Sequence, residues 1–232
     1  MRGEVYRVPE KYVPKYSGSL RSHMIEIPEC IRKCSGIVIF GKRIKSIVFT
    51  TDVAVIRNIN ADAVIAVYPF TPQPVITHAL MLCADMPVFC GVGGGTTMGS
   101  RVVHLASDAE FQGAMGVVVN APTPNETIEQ MREVIDIPII VTVVSPHEDI
   151  DGRLKAGAAI LNVSAATNTP EVVRFLRERY PAVPIIATGG PTEESIEKTI
   201  AAGANAISWT PPSSGELFKA LMERYRRDIT VG

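Results

Sequence analysis

The sequence predicts an α/β protein, a closed (β/α)8 TIM barrel with an N-terminal extension. Three observations lead there. Apolar, β-rich runs alternate with amphipathic helical runs, eight such runs fall between residues 46 and 230, and a 46-residue repeat relates two quarters of that span. Near-continuous apolar strands separated by helices indicate a parallel sheet covered on its outer face. Eight short units suit a closed barrel, with an open doubly wound sheet as the other architecture compatible with the pattern.

The eight predicted strands are "SIVFTTD" (46–52), "AVIAVYP" (63–69), "PVFCGV" (87–92), "MGVVVNA" (115–121), "IPIIVTVV" (137–144), "AAILNVS" (158–164), "VPIIATG" (183–189) and "AISWT" (206–210). Helical stretches follow them, for example "TPNETIEQMREVI" after the fourth and "TEESIEKTIAAG" after the seventh. "IPII" at Ile137 returns as "VPII" at Val183, and Gly157 of "KAGAAILNVS" returns as Gly203 of "AAGANAISWT", each 46 residues later. A glycine that ends a helix just before a strand is the shared device.

Residues 1–45 stand outside the repeat as an N-terminal extension, and residues 46–230 form the barrel. "IEIPECIRKCSG" carries a proline near a helix start and a glycine at its end. "GIVIFGKRIKSIVF" reads as an extra strand or turn before the first barrel strand. The extension is read as a cap over one barrel mouth or as an oligomer contact, and a homo-oligomer is expected.

The 232 residues are 46% hydrophobic and 20% charged, with formal net charge -1. That balance gives no electrostatic reason to expect nucleic acid or a membrane surface as partner. No apolar run approaches the ~20 residues of a spanning helix. The polar, proline-punctuated start is unlike a secretory leader, so a cytoplasmic address is expected. Cys30, Cys34, Cys83 and Cys90 form no CxxC pair and read as reduced thiols. No metal or cofactor is expected.

Function in such a barrel sits at the C-terminal strand ends. Taking the bulky Ile47 and Phe49 as helix-facing turns Ser46, Val48, Thr50 and Asp52 inward on the first strand. The same alternation places Asn162 and Ser164 inside on the sixth strand, Ser208 and Thr210 on the eighth, and Thr142 and Thr188 on the fifth and seventh. Tyr68, Cys90 and Asn120 are assigned to the mouths of the second to fourth strands. This set is mostly neutral, and no lysine ends a strand, which argues against a Schiff-base aldolase. Asp52 is either a general acid or base or the cap of "VAVIRNIN"; as a cap alone, Asp52→Asn would be nearly neutral. Asn120 and Asn162 are candidates for positioning a hydroxyl or oxyanion. "GVGGGTTMGSR", with Gly94 and Gly95, folds over a ligand or is a flexible loop. His147, Glu148, Asp149 and Asp151 read as the first turn of a helix.

"PIIATGGPT" (184–192) runs from a buried strand into a bare turn, and "SWTPPSSGELF" ends the last strand at a helix start. Gly189 and Gly190 with Ser213, Ser214 and Gly215 thus form an expected phosphate groove built from backbone N–H groups. These residues resemble the ribulose-phosphate-binding barrel superfamily, through "TGG", "AAGANAIS" and the helix start that follows. The resemblance implies a small phosphorylated metabolite as partner, held at Gly189, Gly190 and the Ser213–Gly215 turn. Asn162 stands where the related aldolases carry lysine, so their activity is not implied. The whole chain, with "TTDVAVIRNINADAVIAVYPFTPQP", also looks like an uncharacterised bacterial TIM-barrel family labelled "hydrolase". An enzyme with lyase- or isomerase-type proton transfer, a hydrolase and a non-catalytic phospholigand sensor all remain open.

Overall fold

The computed structural model describes residues 24–230, with residues 14, 16, 18 and 19 before them. Two short antiparallel strands, β1 (Ile37–Ile39) and β2 (Lys42–Ile44), precede eight parallel ones. These are β3 (Ser46–Phe49), β4 (Ala63–Ala66), β5 (Val88–Gly93), β6 (Gly116–Val119), β7 (Ile139–Val143), β8 (Ala158–Val163), β9 (Ile185–Thr188) and β10 (Ala206–Trp209). They pair in chain order, and β10 closes on β3 through Ile207–Ser46, Ser208–Ile47 and Trp209–Val48. All eight runs read from the sequence are strands of one closed barrel.

The helices on its outside are α1 (Val53–Arg57), α2 (Pro74–Cys83), α3 (Ser100–Phe111), α4 (Asn125–Val134), α5 (Ile150–Ala156), α6 (Thr169–Arg179), α7 (Glu193–Ala201) and α8 (Ser214–Thr230). No helix among the described residues is long and apolar enough to cross a membrane.

Two cores follow from the alternation of side chains. Val48, Val64, Val117, Leu161, Ile185 and Ile207 face outward and pack with Ile56, Val102, Ile128, Leu176 and Ile196 of the helices. Ile47, Ile65, Phe89, Val118, Ile140, Ile160 and Ile186 fill the interior. Ile37, Ile39 and Ile44 of the hairpin join that inner cluster. The hairpin leads directly into β3, so its isoleucines lie at the end where the strands begin.

The inward face expected for the first strand is therefore reversed. Ile47 lies inside, and Val48 lies under the helices. The barrel interior is itself a packed core in which bulky residues dominate, so side-chain size does not tell inside from outside. Ser46 is drawn the other way by polarity: its hydroxyl accepts the Asp62 N–H at 2.9 Å, and Asp62 Oδ2 accepts from the Lys45 and Ser46 N–H groups. On β8 the expected parity stands, with Leu161 and Val163 outward. Cys90, expected at the mouth, packs outward, and burial pushes its thiol up to about 12. All four cysteines are free.

The 46-residue repeat marks a structural element as well. Gly157 and Gly203 have φ of 121° and 112°, and an arginine of the preceding even-numbered helix crosses each. A Cβ would stand 2.7 Å from Arg132 Cδ at Gly157 and 2.8 Å from Arg177 Cγ at Gly203. Glycine is required at both points by conformation and by close approach.

Candidate active site

At the C-terminal mouth the inward side chains differ between the two halves of the barrel. Over β7 to β10 they are Thr142, Asn162, Thr188 and Ser208, on the same parity as Ile140, Ile160, Ile186 and Ala206 beneath them. Thr142 and Ser208 are 9% and 6% exposed. Asn162 Nδ2 donates to Thr142 Oγ1 at 3.3 Å, while Asn162 Oδ1 is buried with no hydrogen-bond partner. Such an atom costs about 1–3 kcal/mol until a donor reaches it. Over β4 to β6 a cavity of about 250 Å³ opens among Val67, Tyr68, Phe70, Gly91, Val118 and Asn120. Asn120 stands at its rim, exposed. Ser164 and Thr210 lie beyond the strand ends and are exposed.

Asp52 caps two helices. Its Oδ1 accepts the N–H groups of Ala54 and Val55 at the start of α1, and its Oδ2 accepts the Ser214 N–H at 3.1 Å at the start of α8. Hydrogen bonding from Ser214 above all, with the α1 N–H groups, keeps its carboxyl below the ordinary carboxylate range against the opposing effect of burial. Thr50 supports this turn, its hydroxyl accepting the Asp52 N–H at 3.1 Å.

One carboxylate thus joins two helices, and this changes the expectation for its amide. Asp52→Asn should destabilise the fold by about 1–2 kcal/mol, because an amide has one accepting oxygen for two helix starts. A depressed folded pKa contributes stability in full above the unfolded value of about 3.9, and loses it as pH falls through the folded value. The gap between wild type and Asp52→Asn should therefore be present at about pH 7 and close in acid. Denaturant curves taken stepwise downward in pH measure it. A gap that persists in acid would remove the carboxylate from the explanation.

Of the N–H groups expected to grip phosphate, those of Gly189, Ser213 and Ser214 are taken by the chain. The Gly189 N–H donates to Ser208 O at 3.1 Å, and a Cβ on Gly189 would stand 2.8 Å from both Ile196 and Ile207. Gly190 has φ 81°, with Ser195 Oγ 2.6 Å from its would-be Cβ. Thr192 and Ser195 form a capping box at the start of α7. At α8, the Ser213 N–H and hydroxyl both donate to Glu216 at 2.8 Å, and Glu216 N–H returns to Ser213 Oγ. An anion near Ser213, Ser214 and Gly215 would meet the carboxylates of Asp52 and Glu216. The Gly94 N–H is likewise bound, to Thr97 O at 3.1 Å, whereas Gly95 is open.

Glu148, read from the sequence as part of a helix's first turn, has a different place. It lies before α5, not inside its first turn; Oε1 accepts the Val144 and Ser145 N–H groups, and Oε2 is buried without a partner. The pattern Ser-x-x-Glu, at Ser145–Glu148 and again at Ser213–Glu216, was the available signal. Arg153 binds the Ala121 and Thr123 carbonyls and fixes the loop after β6.

No family model matches the chain, and no curated protein matches it. Solved structures do. One is a phosphonopyruvate hydrolase in complex with oxalate and Mg2+, with TM-score 0.61, 14% identity, and 80% of this chain and 83% of that chain covered. A 2,3-dimethylmalate lyase of the PEP mutase/isocitrate lyase superfamily aligns with TM-score 0.61, 13% identity, and coverage of 86% and 83%. A phosphoenolpyruvate phosphomutase from Streptomyces platensis subsp. rosaceus aligns with TM-score 0.60, 15% identity, and coverage of 86% and 84%. At these identities the likeness shows the (β/α)8 fold. It does not single out the ribulose-phosphate-binding superfamily.

The Mg2+ of the first of these structures sets a test for the residues present here. Among the described residues no three His, Cys, Asp or Glu side chains converge as metal ligands. The inward mouth groups are hydroxyls and amides, and Asp52 is turned to helix N–H groups. These residues do not fit a protein-held Mg2+, whose protein ligands are carboxylate oxygens.

Proposed function

We propose that the chain is an enzyme that binds a small anionic metabolite, a phosphorylated or carboxylate compound, at the C-terminal mouth and promotes lyase- or isomerase-type chemistry on it. The observation that carries this reading is the cluster of inward donors, Asn162 Nδ2 with the Thr142, Thr188 and Ser208 hydroxyls; the buried Asn162 Oδ1, an acceptor without a partner, suits a hydroxyl on the same ligand. The donors are neutral, and Asn120 stands across the mouth. Preorganised donors in a water-poor site stabilise charge that develops on an oxygen, as when an enolate forms. Asp52 takes no part in proton transfer in this reading, since its lone pairs serve helix starts. The printed names of the structural relatives, a lyase, a phosphomutase and a phosphonopyruvate hydrolase, agree with a small acidic substrate. A second reading has its own support: the neutrality of these inward groups suits a sensor that binds without turnover.

Asn162→Leu tests the binding claim. It removes the orphaned oxygen together with one long hydrogen bond, so the ligand-free protein should be equally stable or more stable by about 1 kcal/mol. Affinity for whichever of oxalate, pyruvate, phosphoenolpyruvate or sugar phosphates raises the wild-type melting temperature should fall at least tenfold. A destabilised variant with unchanged affinity would give Asn162 a packing role only. Turnover of the bound compound, followed by NMR, separates enzyme from sensor.

A further inference from the structure

The two halves of the mouth call for different chemistry in one ligand. We infer that the substrate carries an apolar group, a branched alkyl chain or an aromatic ring, which lodges in the cavity over β4 to β6 while its anionic head lies over β7 to β10. This inference rests on the mouth being the binding site, as proposed above.

No ionisable carboxylate, imidazole, ammonium or guanidinium lines this cavity. Its walls are the Val67 and Val118 side chains, the Tyr68 ring and the prolines and Phe70 of the loop after β4, and Thr96, Thr97, Asn120 and glycine backbone supply the uncharged polar remainder. The one phenol among them is already engaged, since the Tyr68 hydroxyl accepts the Gln73 N–H at 3.0 Å. That bond fixes the ring and leaves its faces as the contact surface. Phe70 stands 73% exposed at the rim, apolar surface that a ligand would cover. Gly91 keeps the floor open, because a Cβ there would stand 3.0 Å from Val67 Cγ2.

The volume, about 250 Å³, equals roughly eight waters at ~30 Å³ each. A phenyl or isobutyl group fits that space. A phosphate or carboxylate placed there would lose its hydration without finding a charged partner. Over β7 to β10, Asn162 Nδ2 and the Thr142, Thr188 and Ser208 hydroxyls offer donors to an anionic head. Size and polarity together orient the ligand across the mouth.

Calorimetric titration of the full chain with two series tests this. The carboxylate arm is pyruvate, 4-methyl-2-oxopentanoate and phenylpyruvate; the phosphate arm is methyl phosphate and phenyl phosphate. In whichever arm binds, the largest apolar member should bind at least tenfold tighter than the smallest, about 1.4 kcal/mol. Thr96→Trp, which fills the cavity from its exposed rim, should abolish that gain and leave the smallest member's affinity unchanged. Phe70→Ser should reduce the gain. Both positions are exposed, so the melting temperature of each variant serves as the folding control. Equal affinities along a binding arm, or a gain that survives Thr96→Trp in a folded protein, would overturn the apolar subsite and leave the anion site standing. Failure of every member in both arms would overturn the two together.

Discussion

Replacing Arg177 with methionine should lower the unfolding free energy by about 2–4 kcal/mol. The guanidinium reaches from α6 to both chain segments that enter the last two strands. It donates to Gly203 O at 3.1 and 3.0 Å, to Pro181 O at 2.8 Å, to Val183 O at 2.9 Å and to Asn205 Oδ1 at 2.6 Å. Asn205 in turn takes the Ile185 N–H at 2.9 Å and donates to Ser35 Oγ at 2.9 Å. Methionine keeps the stem that lies over Gly203 and leaves these acceptors without their donor. Lysine should recover less than half of the loss, because one ammonium cannot serve acceptors spread over a planar fork. The repeat supplies the control. Arg132 crosses Gly157 in the same way but reaches Lys155 O only at 3.5 Å, so Arg132→Met should cost less than about 1 kcal/mol. Urea midpoints at unchanged m-value, read by the single Trp209, compare the two. Equal losses would mean that the stem over the glycine matters and the hydrogen bonds do not.

Gly94→Ala should cost about 2–4 kcal/mol. Its φ is 95°, where an L side chain is strained. The added Cβ would stand 2.5 Å from Asn120 N, 2.5 Å from Thr123 Oγ1 and 2.8 Å from Asn120 O. Two of these three atoms are backbone, so the turn after β6 must move as a whole, and overpacking of this kind adds about 1–3 kcal/mol to the strain. Gly95→Ala is the contrast, since its Cβ would meet nothing within 4 Å. It should be within about 0.5 kcal/mol of wild type. If Gly94→Ala instead proved neutral while weakening ligand binding, the glycine would act on the ligand and not on the fold. Gly190 behaves like Gly94: its φ of 81° and the nearby Ser195 hydroxyl make any substitution there a change in the turn.

The eight strands, their order and the closure of the sheet were legible because each strand is an apolar run and each connection a helix, signals that local residue order carries. The inward positions of Thr142, Asn162, Thr188 and Ser208 were legible too, since a polar residue at the end of a buried strand can face only the mouth. Ile47 was not, because the inside and the outside of this barrel are both packed with branched side chains, and no local property separates them. Tertiary structure decided what the polar ends do. Asp52 became a double cap because the fold brings the start of α8, at Ser214 and 162 residues further along the chain, to the carboxylate that already caps α1. Three N–H groups of the turns expected to hold phosphate, on Gly189, Ser213 and Ser214, serve the fold for a related reason: a backbone N–H donates to the acceptor the fold brings near, and here those acceptors are Ser208 O, Glu216 and Asp52. Residue type told which groups can bond; only the folded chain settled with whom.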